Sequence, residues 1–73
     1  MKHIMNVEYT DTKGRADTLI IDEDAIVGLV KDALEQDRSI QELIEDYILA
    51  EAYSRGRTVK TINDIRIFRY VIR

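Results

Sequence analysis

The chain has 73 residues, no cysteine and a formal net charge of −3, which predict one small domain without disulfides or a thiolate metal site. No apolar run approaches the roughly 20 residues of a membrane helix, and the opening MKHIMNVEYT lacks a signal peptide's apolar segment and cleavage site. We therefore expect a single domain over residues 1–73 that is soluble and cytoplasmic, with no membrane contact. Its small core favours a homodimer.

Charge is distributed unevenly along the chain. Residues 16–51 hold eleven acidic and two basic side chains, whereas residues 52–73 hold six basic and one acidic. This asymmetry predicts an acidic surface in the middle of the chain and a basic one at its end.

A β-hairpin is the first predicted element. Residues 3–10, HIMNVEYT, alternate in polarity as a half-buried strand does, and residues 15–21, RADTLII, form the return strand. The linking DTKG places Gly14 at the left-handed position of a hairpin turn.

Two helices are predicted next. Asp22 is suited to cap the first, Ser39 and Glu42 form a capping box for the second, and Gly56 ends it. Helical spacing assigns these residues to the two core faces: Ile26, Leu29, Val30, Ala33 and Leu34, then Ile40, Leu43, Ile44, Tyr47 and Ile48. Leu49 and Tyr53 fall outside the core face, among the acidic residues.

The tail is predicted to be a second hairpin that turns at Asn63 and Asp64. Such pairing puts Val59, Phe68, Tyr70 and Ile72 on one face and Ile62, Ile65, Ile67 and Val71 on the other. The predicted fold is α+β with the order ββααββ, in which antiparallel strands pack against two helices. Because both faces of the last strand are apolar, one of them is expected to meet a second subunit.

No set of residues predicts catalysis. A nucleophilic site needs a nucleophile, a base and an orienting group, but Ser39 serves as a cap and His3 lies near the terminus. Glu42, Glu45 and Asp46 share a helical face and could hold a hard cation, although a solvated face is the simpler interpretation. We predict a non-enzymatic protein without cofactor or metal.

Residues 16–55 resemble the ribbon-helix-helix core of small dimeric DNA-binding regulators. The resemblance is carried by TLII, DEDAIVGLVKDALEQ, DRS and IQELIEDYILAEAY. It implies a strand-helix-helix dimer in which outward strand residues read the major groove. Here those residues would be Ala16, Thr18 and Ile20, of which only Thr18 carries a donor for base edges. Asp37 lies where the family has its phosphate contact.

The favoured hypothesis is a small acidic regulatory protein that binds a basic protein through its helices. The partner could itself bind nucleic acid, so the chain would act as a DNA-mimic inhibitor. In size and charge pattern it resembles the acidic inhibitors of phages and mobile elements. The predicted protein-binding residues are Glu35, Glu42, Glu45, Asp46, Leu49 and Tyr53.

Two alternatives remain at this point. The first is a ribbon-helix-helix-like dimeric transcriptional repressor, with DNA contacts from Thr18, Arg66, Arg69 and Arg73. In the favoured hypothesis these arginines only offset the acidic helices. The second alternative is a structural or assembly module whose charges keep it in solution.

Overall fold

The computed structural model describes residues 2–70, with side chains as far as Arg69. Five elements follow one another: β1 (Lys2–Asp11), β2 (Ala16–Ile21), α1 (Glu23–Gln36), α2 (Ile40–Ser54) and β3 (Val59–Tyr70). The strands form one antiparallel sheet in the order β2-β1-β3. Helices pack on one face of this sheet, which makes an α+β fold of two layers only 19 Å thick.

The predicted first hairpin is confirmed. Met5, Val7 and Tyr9 are buried along β1, and Leu19 and Ile21 are buried opposite them on β2. Gly14 has the left-handed conformation expected of it (φ 79°). The alternation of the sequence therefore fixes which face of the hairpin meets the helices.

Both helices begin and end as predicted. The Asp22 carboxylate accepts a hydrogen bond from the Ala25 amide at 2.9 Å, and the Ser39 hydroxyl accepts one from the Glu42 amide at 3.4 Å. Gly56 follows α2 with a φ of 74°. These local interactions satisfy backbone groups that a helix end otherwise leaves unpaired.

The core is narrower than the helical pattern predicts. Ala33, Leu43 and Ile48 are buried, but Val30 is 43% exposed, Leu34 is 79% exposed and Ile40 is 39% exposed, so the assignment of these three to the core was wrong. Within residues 2–70, α1 contacts α2 and β1, and this packing leaves the flank of α1 that carries Val30 and Leu34 exposed.

The predicted second hairpin was wrong, and the element order is ββααβ. A two-residue type I′ turn needs positive φ at both central residues, yet among residues 2–70 the only non-glycine residue with positive φ is Asp37. Instead β3 runs straight through Asn63 and Asp64 along the open edge of β1. Asn63 is an extra residue between Ile62, opposite Tyr9, and Asp64, opposite Glu8.

The extra residue Asn63 forms a β-bulge, and this bulge affects which side chains of β3 share a face. Ile62, Ile65 and Ile67 lie on the helix side, opposite Tyr9, Val7 and Met5, and Phe68 lies on the other side, opposite Ile4. A second irregularity makes Lys60 an extra residue between Thr61 and Val59, which places Val59 opposite Asp11 on the helix side, so its predicted face was wrong. Val71, Ile72 and the side chain of Tyr70 lie outside the described part of the chain.

Replacing Ile48 with valine tests the position of the core. Ile48 is fully buried in the core cluster, so we expect the free energy of unfolding to fall by about 0.5–1.5 kcal/mol. Leu34→Ala is the matched control, since this exposed side chain should change stability by less than about 0.5 kcal/mol. Urea unfolding followed by circular dichroism measures both, and equal losses would contradict this core.

Candidate functional site

One row of exposed side chains runs the length of α2. Glu42, Asp46, Leu49 and Tyr53 succeed one another at helical spacing, and Glu45 flanks them. We call these five residues the α2 surface. Leu49 is 47% exposed and Tyr53 is 79% exposed, so the row is acidic near the start of α2 and apolar near its end.

Arg38 partly neutralises the acidic end of this surface. Its guanidinium NH2 donates to Asp46 Oδ2 at 2.9 Å and to Glu42 Oε2 at 3.3 Å. The hydrogen bond to Asp46 and then that to Glu42 raise the pKa of Arg38, against the effect of its desolvation. Glu45 is held differently, because within the described residues its carboxylate accepts a hydrogen bond only from the Gln41 side-chain amide, at 3.4 Å.

The loop between the helices determines where Arg38 lies. Asp37 adopts the left-handed conformation (φ 51°) at the end of α1, and the Arg38 amide donates back to the Ala33 carbonyl at 3.0 Å. This tight reversal places Arg38 just before Ser39, the cap of α2, and so about one helical turn from Glu42. Glu35 is exposed on α1, and no hydrogen bond or ion pair within residues 2–70 joins it to the α2 surface.

The residues proposed for nucleic-acid contact are not brought together. Thr18 lies on the sheet face away from the helices, in a row with Glu8 and Asp64. Arg66 shares that face, but its Nε donates to Asp64 Oδ2 at 2.6 Å. Arg69 lies opposite His3 on the helix side of the sheet, and Arg73 lies outside the described residues.

A buried carboxylate at the end of β1 was missed by the sequence analysis. Asp11 is only 1% exposed, and its carboxylate accepts from the amides of Lys13 and Arg15 at 3.0 and 2.8 Å. Arg15 Nε donates to it at 2.9 Å and Arg57 NH1 at 3.4 Å. The signal was present, since the alternation of Met5, Val7 and Tyr9 continues to position 11.

A second carboxylate extends this cluster. Asp17 accepts from the buried Tyr9 hydroxyl at 3.0 Å and lies 3.4 Å from Arg57 Nε and 3.8 Å from Arg55 NH1. Two arginines beyond α2 are thus tied to both strands of the first hairpin. Because these charged groups hydrogen-bond to one another, the arrangement joins the first hairpin to the segment that follows α2.

The pKa values in this cluster follow from burial and hydrogen bonding. Burial acts to raise the pKa of Asp11, but hydrogen bonds from Arg15 and Lys13 and the charge of Arg15 outweigh it, so the pKa lies below its usual value. Hydrogen bonds from the Thr18 amide and the Tyr9 hydroxyl lower the pKa of Asp17. Burial, followed by the hydrogen bond to Asp17, raises the pKa of Tyr9.

No three histidine, aspartate or glutamate side chains within the described residues converge to hold a metal ion. In particular, Glu42, Glu45 and Asp46 form no such group. Neither α1 nor α2 is long and apolar enough to cross a membrane. No family model, curated protein or solved structure matches this chain.

The substitution Asp11→Asn tests the buried cluster through the pH dependence of stability. Since folding lowers the pKa of Asp11, its carboxylate stabilises the fold fully above about pH 4, the usual aspartate pKa. This contribution is lost as the pH falls through the folded pKa. We expect the variant to be less stable than the wild type at pH 7, and the difference to shrink below about pH 4.

Urea unfolding of both proteins across this pH range measures the difference, and Asp32→Asn on the exposed side of α1 is the matched control. A difference between wild type and Asp11→Asn that stays constant with pH would show that the Asp11 charge does not contribute to folding.

Proposed function

We propose that this chain is a non-enzymatic regulatory protein that binds a basic surface of another protein through the α2 surface. The observation that carries the proposal is that Leu49 and Tyr53 remain exposed in the same row as Glu42 and Asp46. Apolar anchors beside acidic groups suit a basic partner surface that also offers apolar contacts. We propose further that the protein acts as a homodimer in the cytoplasm.

Tyr53 and Leu49 supply the apolar part of this interface. Tyrosine is enriched among the residues that dominate binding energy, because it buries a large area at a small cost in side-chain entropy. Tyr53 is 79% exposed near the end of α2, so little of its packing within the fold would be lost when a partner covers it. A partner that covers it removes apolar surface from water without unfolding the helix.

The acidic residues supply orientation and attraction. Exposed ion pairs such as those of Arg38 are weak because solvent screens them, so a cation of the partner can replace Arg38 beside Glu42 and Asp46. Glu45, which contacts no cation within the described residues, is available without any exchange. Complementary charges of this kind raise the association rate and fix the register of a complex.

The proposed partner is a protein that itself binds nucleic acid. Such proteins hold phosphates with clusters of lysine and arginine, which an acidic helical surface can occupy in competition with DNA or RNA. Direct DNA binding by this chain has less support, because Thr18 shares its row across the sheet with Glu8 and Asp64. Two carboxylates beside a base-reading position repel phosphate.

Two single substitutions test the α2 surface. Immobilised wild type, Glu45→Lys and Tyr53→Ala are compared for capture of proteins from a nuclease-treated lysate, and each captured protein is purified for affinity measurement. We expect a basic partner whose affinity falls by about tenfold or more with either variant, as for a central interface residue. Duplex DNA should displace the wild type from this partner.

Asp32→Lys, which makes a similar change of charge on α1, is the control and should bind as the wild type does. Glu45 is preferred to Asp46 for the charge reversal because Asp46 holds Arg38. Equal loss of affinity in Glu45→Lys and Asp32→Lys would mean that total charge matters and not the position of Glu45 on the α2 surface. Recovery of nucleic acid from the same lysate without nuclease treatment, in the absence of a protein partner and sensitive to Thr18→Ala, would replace the proposal with the repressor hypothesis.

A further inference from the structure

The free edge of β3 is the largest unpaired backbone surface of the sheet. β3 has twelve residues and uses one edge to pair with β1, whereas its other edge has no strand beside it within residues 2–70. A long edge with apolar side chains is a template for pairing with another strand. On its helix side, Ile65 is 42% exposed and Ile67 is 63% exposed.

From this edge we propose that two copies of the chain associate through antiparallel pairing of β3 with β3. The two-fold axis of such a pair is perpendicular to the sheet, so both helix layers lie on the same side of one continuous six-stranded sheet. Ile65 and Ile67 of both copies then meet between the two helix layers. The second copy thus covers the apolar side chains that one chain alone leaves exposed.

Charge selects the register of this pairing. When Ile65 lies opposite Ile65 of the second copy, Asp64 lies opposite Arg66 and Arg66 opposite Asp64 on the outer face. If the two strands slide to the next register in one direction, Asp64 lies opposite Asp64 of the second copy. If they slide in the other direction, Arg66 lies opposite Arg66 of the second copy. Like charges directly opposite destabilise a sheet, whereas opposite charges stabilise it.

The bulge at Asn63 supports the same register. If Asn63 is extra in the new ladder as it is in the ladder with β1, Ile67 lies opposite Ile62 of the second copy, and both side chains are on the helix side. Phe68 then lies opposite Thr61 on the outer face. Ile62, Ile65 and Ile67 therefore face one another on the helix side, and the pairs of Asp64 with Arg66 remain at the surface. If Lys60 is also extra, as it is in the ladder with β1, Val59 and not Lys60 lies opposite Arg69.

Charge-swapped variants test both the dimer and its register. Asp64→Arg puts four arginines together at the two-fold axis, and Arg66→Asp puts four aspartates there. Sedimentation velocity should therefore show each single variant to be a weaker dimer than the wild type, by on the order of tenfold in Kd. The double variant Asp64→Arg/Arg66→Asp should restore the affinity of the wild type.

An equimolar mixture of the two single variants makes the sharpest test. Each variant disfavours its own homodimer, but in the mixture every arginine lies opposite an aspartate, so a heterodimer should form. Asp32→Arg on α1 is the control and should not alter the dimer. Circular dichroism checks that each variant is folded.

The proposal is overturned if the wild type is monomeric at about 100 µM, where even a weak dimer with a Kd of ~10 µM would form. A dimer that neither single variant weakens overturns the β3 interface. Single variants that are weakened but form no heterodimer overturn the register. None of these outcomes bears on the α2 surface, which lies on a different element.

Discussion

The pairing of β1 along both of its edges is the constraint on which the other elements depend. β1 hydrogen-bonds to β2 on one side and to β3 on the other, and its buried face supplies Met5, Val7 and Tyr9 to the core. At its end, the Asp11 carboxylate accepts from Arg15 on the turn and from Arg57 at the approach to β3. This one buried group therefore joins the first hairpin to the chain that returns after α2, and the energetic cost of its burial is offset by four donors.

Features that local interactions determine could be predicted from the sequence. The hairpin turn at Gly14 and the caps at Asp22 and Ser39 depend on residues a few positions apart, and all of them were predicted correctly. The path of β3 depends on the open edge of β1, far away in sequence. Asn63 and Asp64 are common turn residues, but the long ladder with β1 outweighs their local preference and turns Asn63 into a bulge. That bulge brings Ile62 to the helix side, and a second irregularity at Lys60 brings Val59 there as well. Strict alternation along β3 would not place both residues on that side.

The candidate site divides in the same way. Helical spacing alone placed Leu49 and Tyr53 outside the core face, and both are exposed. The charge that surrounds them could not be predicted, because the contact of Arg38 with Glu42 and Asp46 depends on the left-handed conformation of Asp37. Asp37 is a residue that tolerates this conformation, yet its presence does not reveal which way the next side chain points. Because Arg38 lies against it, the α2 surface carries less negative charge than its own residues suggest. Glu45 is then its most available carboxylate.

A sheet of three strands under two helices leaves apolar surface uncovered on both layers, and the two proposals account for different parts of it. Pairing through β3 would use the edge of the sheet, where Ile65 and Ile67 are exposed, and would leave Leu49 and Tyr53 free on α2. Because the two-fold axis of that pairing is perpendicular to the sheet, both α2 surfaces would lie on the same side of the dimer. One basic partner could then contact two acidic helices at once, and the second contact would form at a high effective concentration. A weak surface with one uncommitted carboxylate and two apolar anchors could in this way bind tightly without any further residue.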